Sequence, residues 1–164
     1  EIRLSLVGSE MCIRDSYLGY IEEAFLAYKT ERYNIKGKDV VAGNCKYYLN
    51  DLSFKNFLYP GFAYGVGYLL ENAVYLELRR LGYIVYTGSF RDKEVDFVAM
   101  KDDRVIYLQA TYMLETAQTM EREYAPLLTI GDNYEKYVVS MDEVQFPSNE
   151  GVRHIQAWNL KEIL

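Results

Sequence analysis

GYLLENAVYLELRRLGYIVYTGSFRDKEVDFVAMKDDRVIYLQATYM, residues Gly67–Met113, is the stretch whose reading decides the fold. It divides into a long helix, Tyr68–Leu81, and three short strands, Ile84–Ser89, Glu94–Met100 and Arg104–Met113. Turning about 100° per residue from Val66 puts Leu69, Leu70, Ala73, Val74 and Leu81 on one helix face, with Glu77 inside that face and Glu71 at its edge. A carboxylate within an apolar stripe is costly unless it is paired or holds a cation. Gly82 is placed to end the helix as its C′ residue. In the second strand, alternation sets Val95, Phe97 and Ala99 against Glu94, Asp96 and Val98. Lys101-Asp102-Asp103 is a hairpin turn, and in the third strand Tyr107, Gln109 and Thr111 share a face. Pairing across the turn brings Asp96 and Gln109 together on one side of the sheet.

Upstream, Tyr17, Ile21, Ala24 and Phe25 repeat at helical spacing, with Ser16 as the expected N-cap of a helix running to about Leu26. Ala27–Asn34 and Cys45–Leu49 read as strands joined through Lys36-Gly37-Lys38-Asp39. A helix followed by a two-stranded ribbon is the back half of a winged helix, but Glu22 and Glu23 stand where a DNA reader carries Arg or Lys. Ser53–Leu58 is a short helix. Downstream, a helix from Thr116 to about Leu128 contains Arg122 and Glu123. Tyr137–Ser140 and Val152–Trp158 close the sheet, and Asn159–Leu164 forms a helical turn. The class is therefore α/β with a mixed sheet.

Composition narrows the function. Of 164 residues, half are hydrophobic and 26% charged, which is a globular balance. The net charge of −6 argues against broad nucleic-acid binding, although Lys36, Lys38 and Lys46, or Arg79 and Arg80, offer local basic patches. Two cysteines and one histidine, His154, support neither zinc chemistry nor Ser–His–Asp catalysis. No GxxxxGK[ST] loop is present, and Gly65-Val66-Gly67 follows no strand, so ATP binding by this chain is not expected. No stretch approaches 18 consecutive apolar residues, and the protein reads as cytoplasmic with no membrane partner.

A carboxylate on a helix, an aspartate on a strand and a polar-x-polar pair on the next strand form the frame of a metal-dependent nuclease. Hard oxygen ligands hold Mg²⁺, and a lysine orients the attacking water. Residues from about Gly67 to Leu128 resemble the PD-(D/E)xK nuclease superfamily in outline. The resemblance implies candidate catalytic positions Glu71, Asp96, Gln109 and Thr111, with Asp96, Glu71 and Glu77 as candidate metal ligands. Gln109 and Thr111 fall where that motif expects Glu and Lys. A neutral amide weakens Mg²⁺ binding, and losing a positioned charge costs about two to three powers of ten in rate.

Blocks in order after Ser16 resemble one family: YLGYIEEAFLAYKTERYNIKG, KYYLND, LLENAVYLELRRLGYIVY, KEVDFVAM, IYLQATYML and EREYAPLLTIGDNYEKYVVSMDE. It is the C-terminal domain of unknown function in prokaryotic AAA+-type ATP-binding proteins. The resemblance implies an N-terminal ATPase module upstream, a winged-helix remnant over 17–51 and a PD-(D/E)xK-like mixed sheet flanked by helices over 52–164. Glu1–Ser16, EIRLSLVGSEMCIRDS, closely resembles a translated sequencing-adapter read-through and is expected to be an artefactual or disordered leader.

The expectation is an accessory domain of an ATPase, with a degenerate nuclease-like core that binds a partner protein or nucleic acid without cutting. A divergent metal-dependent nuclease and a structural or homo-oligomerising domain are the alternatives. This chain is then not itself an enzyme. It carries no cofactor of its own: Mg²⁺ enters only if the site is alive, and ATP belongs to the upstream module.

Overall fold

The computed structural model describes residues 13, 15–58, 60, 61 and 65–164. Chain order runs from a helix α1, helical over residues 15–23, to strands β1 (Ala27–Asn34) and β2 (Asp39–Leu49) and a short helix α2 (Ser53–Leu58). The long helix α3 (Val66–Arg80) leads into the meander β3 (Ile84–Phe90), β4 (Lys93–Lys101) and β5 (Arg104–Ala110). Helix α4 (Ala117–Leu128), strands β6 (Glu135–Ser140) and β7 (Val152–Gln156) and a 3-10 helix (Ala157–Glu162) complete it. Most of the expected leader lies outside the described residues. Ser16 lies within α1 rather than capping it.

Among the described residues all seven strands belong to one mixed sheet in the order β2-β1-β3-β4-β5-β6-β7. The β1–β2 ribbon, read as part of a winged-helix remnant, is hydrogen-bonded into this sheet through a parallel β1–β3 pairing. The meander is antiparallel, whereas β5–β6 and β6–β7 are parallel. The β5–β6 crossover is made by α4.

Each face of the sheet has its own core. Leu70, Val74, Tyr75 and Leu78 of α3 pack with Phe97, Ala99, Ile106, Leu108, Tyr137 and Val139. Tyr124 and Leu127 of α4 pack on the other face with Val95, Val98, Tyr107, Val138 and Val152. Being buried on both faces explains why the central strands read as nearly continuous apolar runs. The buried stripe of α3 is therefore rotated from the expected one. Tyr75 and Leu78 carry it, Ala73 is exposed, and Glu77 falls outside it. The helix ends as expected at Gly82 (φ +87°): Tyr83 N–H donates to Leu78 O and Gly82 N–H to Arg79 O, each at 3.0 Å, the two bonds of a Schellman motif. Thr116 caps α4 by accepting from Thr119 N at 3.1 Å.

Strand β4 departs from the expected alternation. Tyr86 pairs with Val98 but Gly88 pairs with Val95, so Asp96 and Phe97 together oppose the single Thr87. This β-bulge reverses the facing of everything before it. Val95 joins Val98 on the α4 face instead of Phe97 and Ala99. The third strand also stops early: β5 ends at Ala110, and Tyr112 and Met113 turn outward.

Gly88 sits at this bulge because nothing larger fits. A Cβ there would lie 2.8 Å from Val98 Cγ2 and 3.0 Å from both Val95 Cβ and Ile35 Cδ1. Gly88→Ala is expected to destabilise the fold by about 1–3 kcal/mol through overpacking. Urea denaturation of the two proteins checks this, and equal midpoints would contradict it.

Candidate functional site

The bulge delivers Asp96 into a polar cluster built from four elements. Lys46, near the end of β2, places its Nζ 2.9 Å from Glu71 Oε1 on α3, 3.0 Å from Glu94 Oε1 and 3.4 Å from Asp96 Oδ1, both on β4. Tyr48, two residues on and so on the same face of β2, donates its hydroxyl to Glu71 Oε1 at 2.8 Å. Glu94 also accepts from Arg32 Nη2 of β1. The other Asp96 oxygen, Oδ2, accepts from Ala110 N at 3.0 Å, where the β4–β5 ladder has ended at Phe97–Leu108. The aspartate thereby occupies the place of a missing ladder bond.

Helix α3 is held in register with this cluster by the residue after Glu71. Asn72, itself buried, donates to Leu49 O at 2.9 Å and accepts from Leu49 N at 2.8 Å. That two-point grip on the end of β2 aligns Glu71 with Lys46 and Tyr48. The cluster continues toward α4. Gln109 Oε1 accepts from Asp96 N at 3.3 Å, and Gln109 Nε2 donates to Glu123 Oε2 at 3.2 Å. Arg122 grips the other Glu123 oxygen at 2.7 and 2.9 Å.

Burial, and then the charge on Glu71, push the Asp96 carboxyl up to about 7, against the pull of Lys46 and the Ala110 N–H. Burial alone would lower the Lys46 pKa. The Asp96 and Glu71 carboxylates outweigh it and hold the ammonium charged, above the ordinary lysine range. Tyr48 is likewise raised, by burial and by Glu71, so its phenol remains a donor.

Of the expected site residues, the structure unites Glu71, Asp96 and Gln109. It does not bring in Glu77, which forms a bidentate pair with Arg80 at 2.6 and 2.7 Å on the outer flank of α3. Its carboxyl is held below the usual range, first by the hydrogen bond from Arg80. Thr111 lies just beyond β5, with its N–H donating to Val139 O at 3.0 Å. No hydrogen bond from its side chain to the cluster is found among the described residues. Of the lysines that offer local positive charge, Lys46 is engaged by carboxylates, while Lys36 and Lys38 lie between β1 and β2. Sequence reasoning missed Lys46, Tyr48 and Glu94 as site residues. The signal was available in part, since Lys46 and Tyr48 alternate on one strand and Glu94 precedes Asp96 by two.

Among the described residues, no group of three or more His, Cys, Asp or Glu side chains is arranged to hold a metal ion. The donor chemistry agrees. The space between Glu71 and Asp96 holds the Lys46 ammonium, and the Gln109 carbonyl oxygen is engaged by Asp96 N–H. As arranged, these residues do not fit Mg²⁺.

The protein is a mixed α/β fold whose sheet carries a lysine-centred carboxylate cluster. No protein-family model matches the chain, and no solved structure matches it. An uncharacterized protein of Haemophilus influenzae (strain ATCC 51907 / DSM 11121 / KW20 / Rd) is 36% identical over 124 residues. The match covers 76% of this chain and 30% of that protein, so the matched stretch spans less than a third of its relative's length. Among the described residues, no helix is long and apolar enough to cross a membrane.

The pH dependence of Asp96 follows from its surroundings. Its folded pKa, about 7, lies above the ordinary 3.8, so the folded state keeps a proton that the unfolded chain releases. That contribution is complete below about pH 4 and is lost as pH rises through 7. Asp96→Asn, which mimics the protonated form, is expected to gain stability relative to the parent between pH 4 and 8, by about 1.4 kcal/mol or more. Paired urea melts across that range check it; a constant difference between the proteins refutes it.

Proposed function

We propose that this chain is a non-cleaving accessory domain of an AAA+-type ATPase. In this reading it has a degenerate PD-(D/E)xK-like core and binds a partner protein or nucleic acid. The observation that carries it is the Lys46 ammonium seated among Glu71, Glu94 and Asp96. A site whose carboxylates are neutralised by a side chain of the same chain has no need of a metal for stability, and here the position a metal would take is filled. The order α3, antiparallel meander, α4 and parallel β6 supports the nuclease-like ancestry. The neutral Gln109 and Thr111 support loss of cutting. A cavity of about 500 Å³, lined by Lys46, Tyr48, Leu52, Tyr68, Glu71 and Asn72, offers a binding surface next to the cluster. A relative well over twice as long supports placing the chain as one part of a larger protein.

One observation favours a second reading, a divergent metal-dependent nuclease. The helix carboxylate Glu71, the strand aspartate Asp96 and a lysine do meet, the lysine arriving from β2 rather than from the Thr111 position on the sheet. In that reading Glu71 and Asp96 would hold a divalent ion supplying Lewis-acid chemistry, and Lys46 would supply the positive charge beside it.

Labelled single-stranded, duplex and branched DNA and RNA, incubated with the purified chain and Mg²⁺ or Mn²⁺, separate the two. The expected result is no cleavage above that of Asp96→Ala, with no divalent-metal affinity by calorimetry. Cleavage abolished by both Asp96→Ala and Lys46→Ala would overturn the non-cleaving reading in favour of the nuclease.

A further inference from the structure

Ser140, Asp142 and His154 meet in the interior, away from the chemistry above. All three are buried. Ser140 ends β6, Asp142 lies two residues on, and His154 is in the middle of β7. Their wiring fixes the proton positions. Phe146 N–H donates to His154 Nδ1 at 3.2 Å, so Nδ1 is an acceptor and the neutral ring carries its proton on Nε2. Nε2–H then donates to Ser140 Oγ at 2.8 Å. The serine hydroxyl in turn donates to Asp142 Oδ2 at 2.7 Å, while Asp142 N–H donates back to Ser140 Oγ at 3.1 Å. Asp142 Oδ2 also accepts from Leu114 N at 2.8 Å.

This is the reverse of a nucleophilic triad. There the histidine must take the serine proton; here it offers one, and the serine spends its own on the aspartate. The three residues instead tie down two connections at once. One is the loop from Met141 to Gly151 between β6 and β7. It is held further by Met141 N to Tyr112 O at 2.9 Å, by Gln156 Nε2 to Glu143 O at 2.6 Å and by Gln145 Nε2 to His154 O. The other is the segment from Thr111 to Leu114, which continues directly from the end of β5 at Ala110. The Phe146 ring stands edge-on to the imidazole, with centroids 5.0 Å apart.

We infer that Ser140, Asp142 and His154 form a pH-sensitive latch. Proton uptake at His154 Nδ1 sets an N–H against the Phe146 N–H, breaks that bond and loosens the Met141–Gly151 loop at Phe146, while the Leu114–Asp142 bond is kept. The groups around the imidazole are Ser140 from β6, Asp142 and Phe146 from the loop and, beyond Asp142, the Tyr124 phenol of α4. Tyr124 OH has no hydrogen-bond partner among the described residues. Of these only Asp142 favours the imidazolium. Burial opposes it more strongly and holds the histidine below its ordinary value, so the latch is closed at neutral pH. Pro147, Ser148 and Asn149 form one wall of a cavity of about 680 Å³ whose opposite wall includes Met120 and Tyr124 of α4. Releasing the loop widens that cavity.

Amide hydrogen exchange with the full chain, corrected for intrinsic rates, tests the latch. Between pH 7.5 and 5 the Phe146 amide is expected to lose protection about tenfold more than the Leu114 amide and the Leu108 amide in β5. His154→Gln, which keeps a donor toward Ser140 and cannot take a proton, is expected to abolish that difference. Imidazole nitrogen shifts of the unmodified protein provide a second readout that needs no variant: a neutral Nε2–H tautomer at pH 7.5 and proton uptake at Nδ1. An Nδ1–H tautomer, or parallel loss of protection at Phe146, Leu114 and Leu108, overturns the proposal.

Discussion

The Lys46 ammonium is the interaction on which the central architecture depends. Three carboxylates converge from α3 and β4 on a half-buried site, and without a cation they would repel one another. The gross attraction of one such pair near a protein surface is on the order of 4 kcal/mol before desolvation. Three pairs sharing one ammonium do not add up to three times that, because the charge is shared and each group gives up hydration. What they provide is position. Lys46 stands on β2, so its pairing joins the β1–β2 ribbon to the helix and to the meander. Arg32 repeats the connection from β1 to Glu94. The ribbon is thereby joined to the rest of the fold by its strand pairing with β3 and by charge.

The bulge at Asp96-Phe97 is the second constraint, and it depends on a glycine. A regular β4 with unbroken alternation would leave Val95 on the α3 face. By accommodating two residues against Thr87, the strand keeps Phe97 in the α3 core, turns Val95 into the α4 core and aims Asp96 at the gap where β4 and β5 separate. There one carboxylate oxygen accepts from Ala110 and the other faces Lys46. The high Asp96 pKa is the electrostatic result of that placement, since the group is buried among charges of its own sign as well as the opposite one. Bulges commonly re-aim side chains in this way.

Much of the fold was legible in the chain. Residues Ser53–Leu58 form a helix and Ala27–Asn34 a strand because their signals are local: spacing and turn residues. Errors arose where a distant partner decided. The α3 stripe was misplaced because Tyr75 and Leu78 owe their burial to the sheet beneath them, so Glu77 was set in a core it does not enter. The strand through Thr111 was drawn too long because its end is set by Val139 and Met141 across the sheet. Glu71 and Asp96 were recognisable as site candidates from residue type and spacing, whereas Lys46 was not, because it lies 25 and 50 positions from them in the chain.

The sequence by itself determined the mixed α/β class, most of the element order and the presence of two carboxylates fit for chemistry. Hydropathy period and turn chemistry are properties of neighbouring residues, which is why these could be read directly. Only the tertiary structure decided what those carboxylates meet. Strand register, one bulge and the addition of β1 to the sheet are long-range choices. They place a lysine between Glu71 and Asp96, and they turn Ser140, Asp142 and His154 into a closed hydrogen-bond chain rather than a catalytic one.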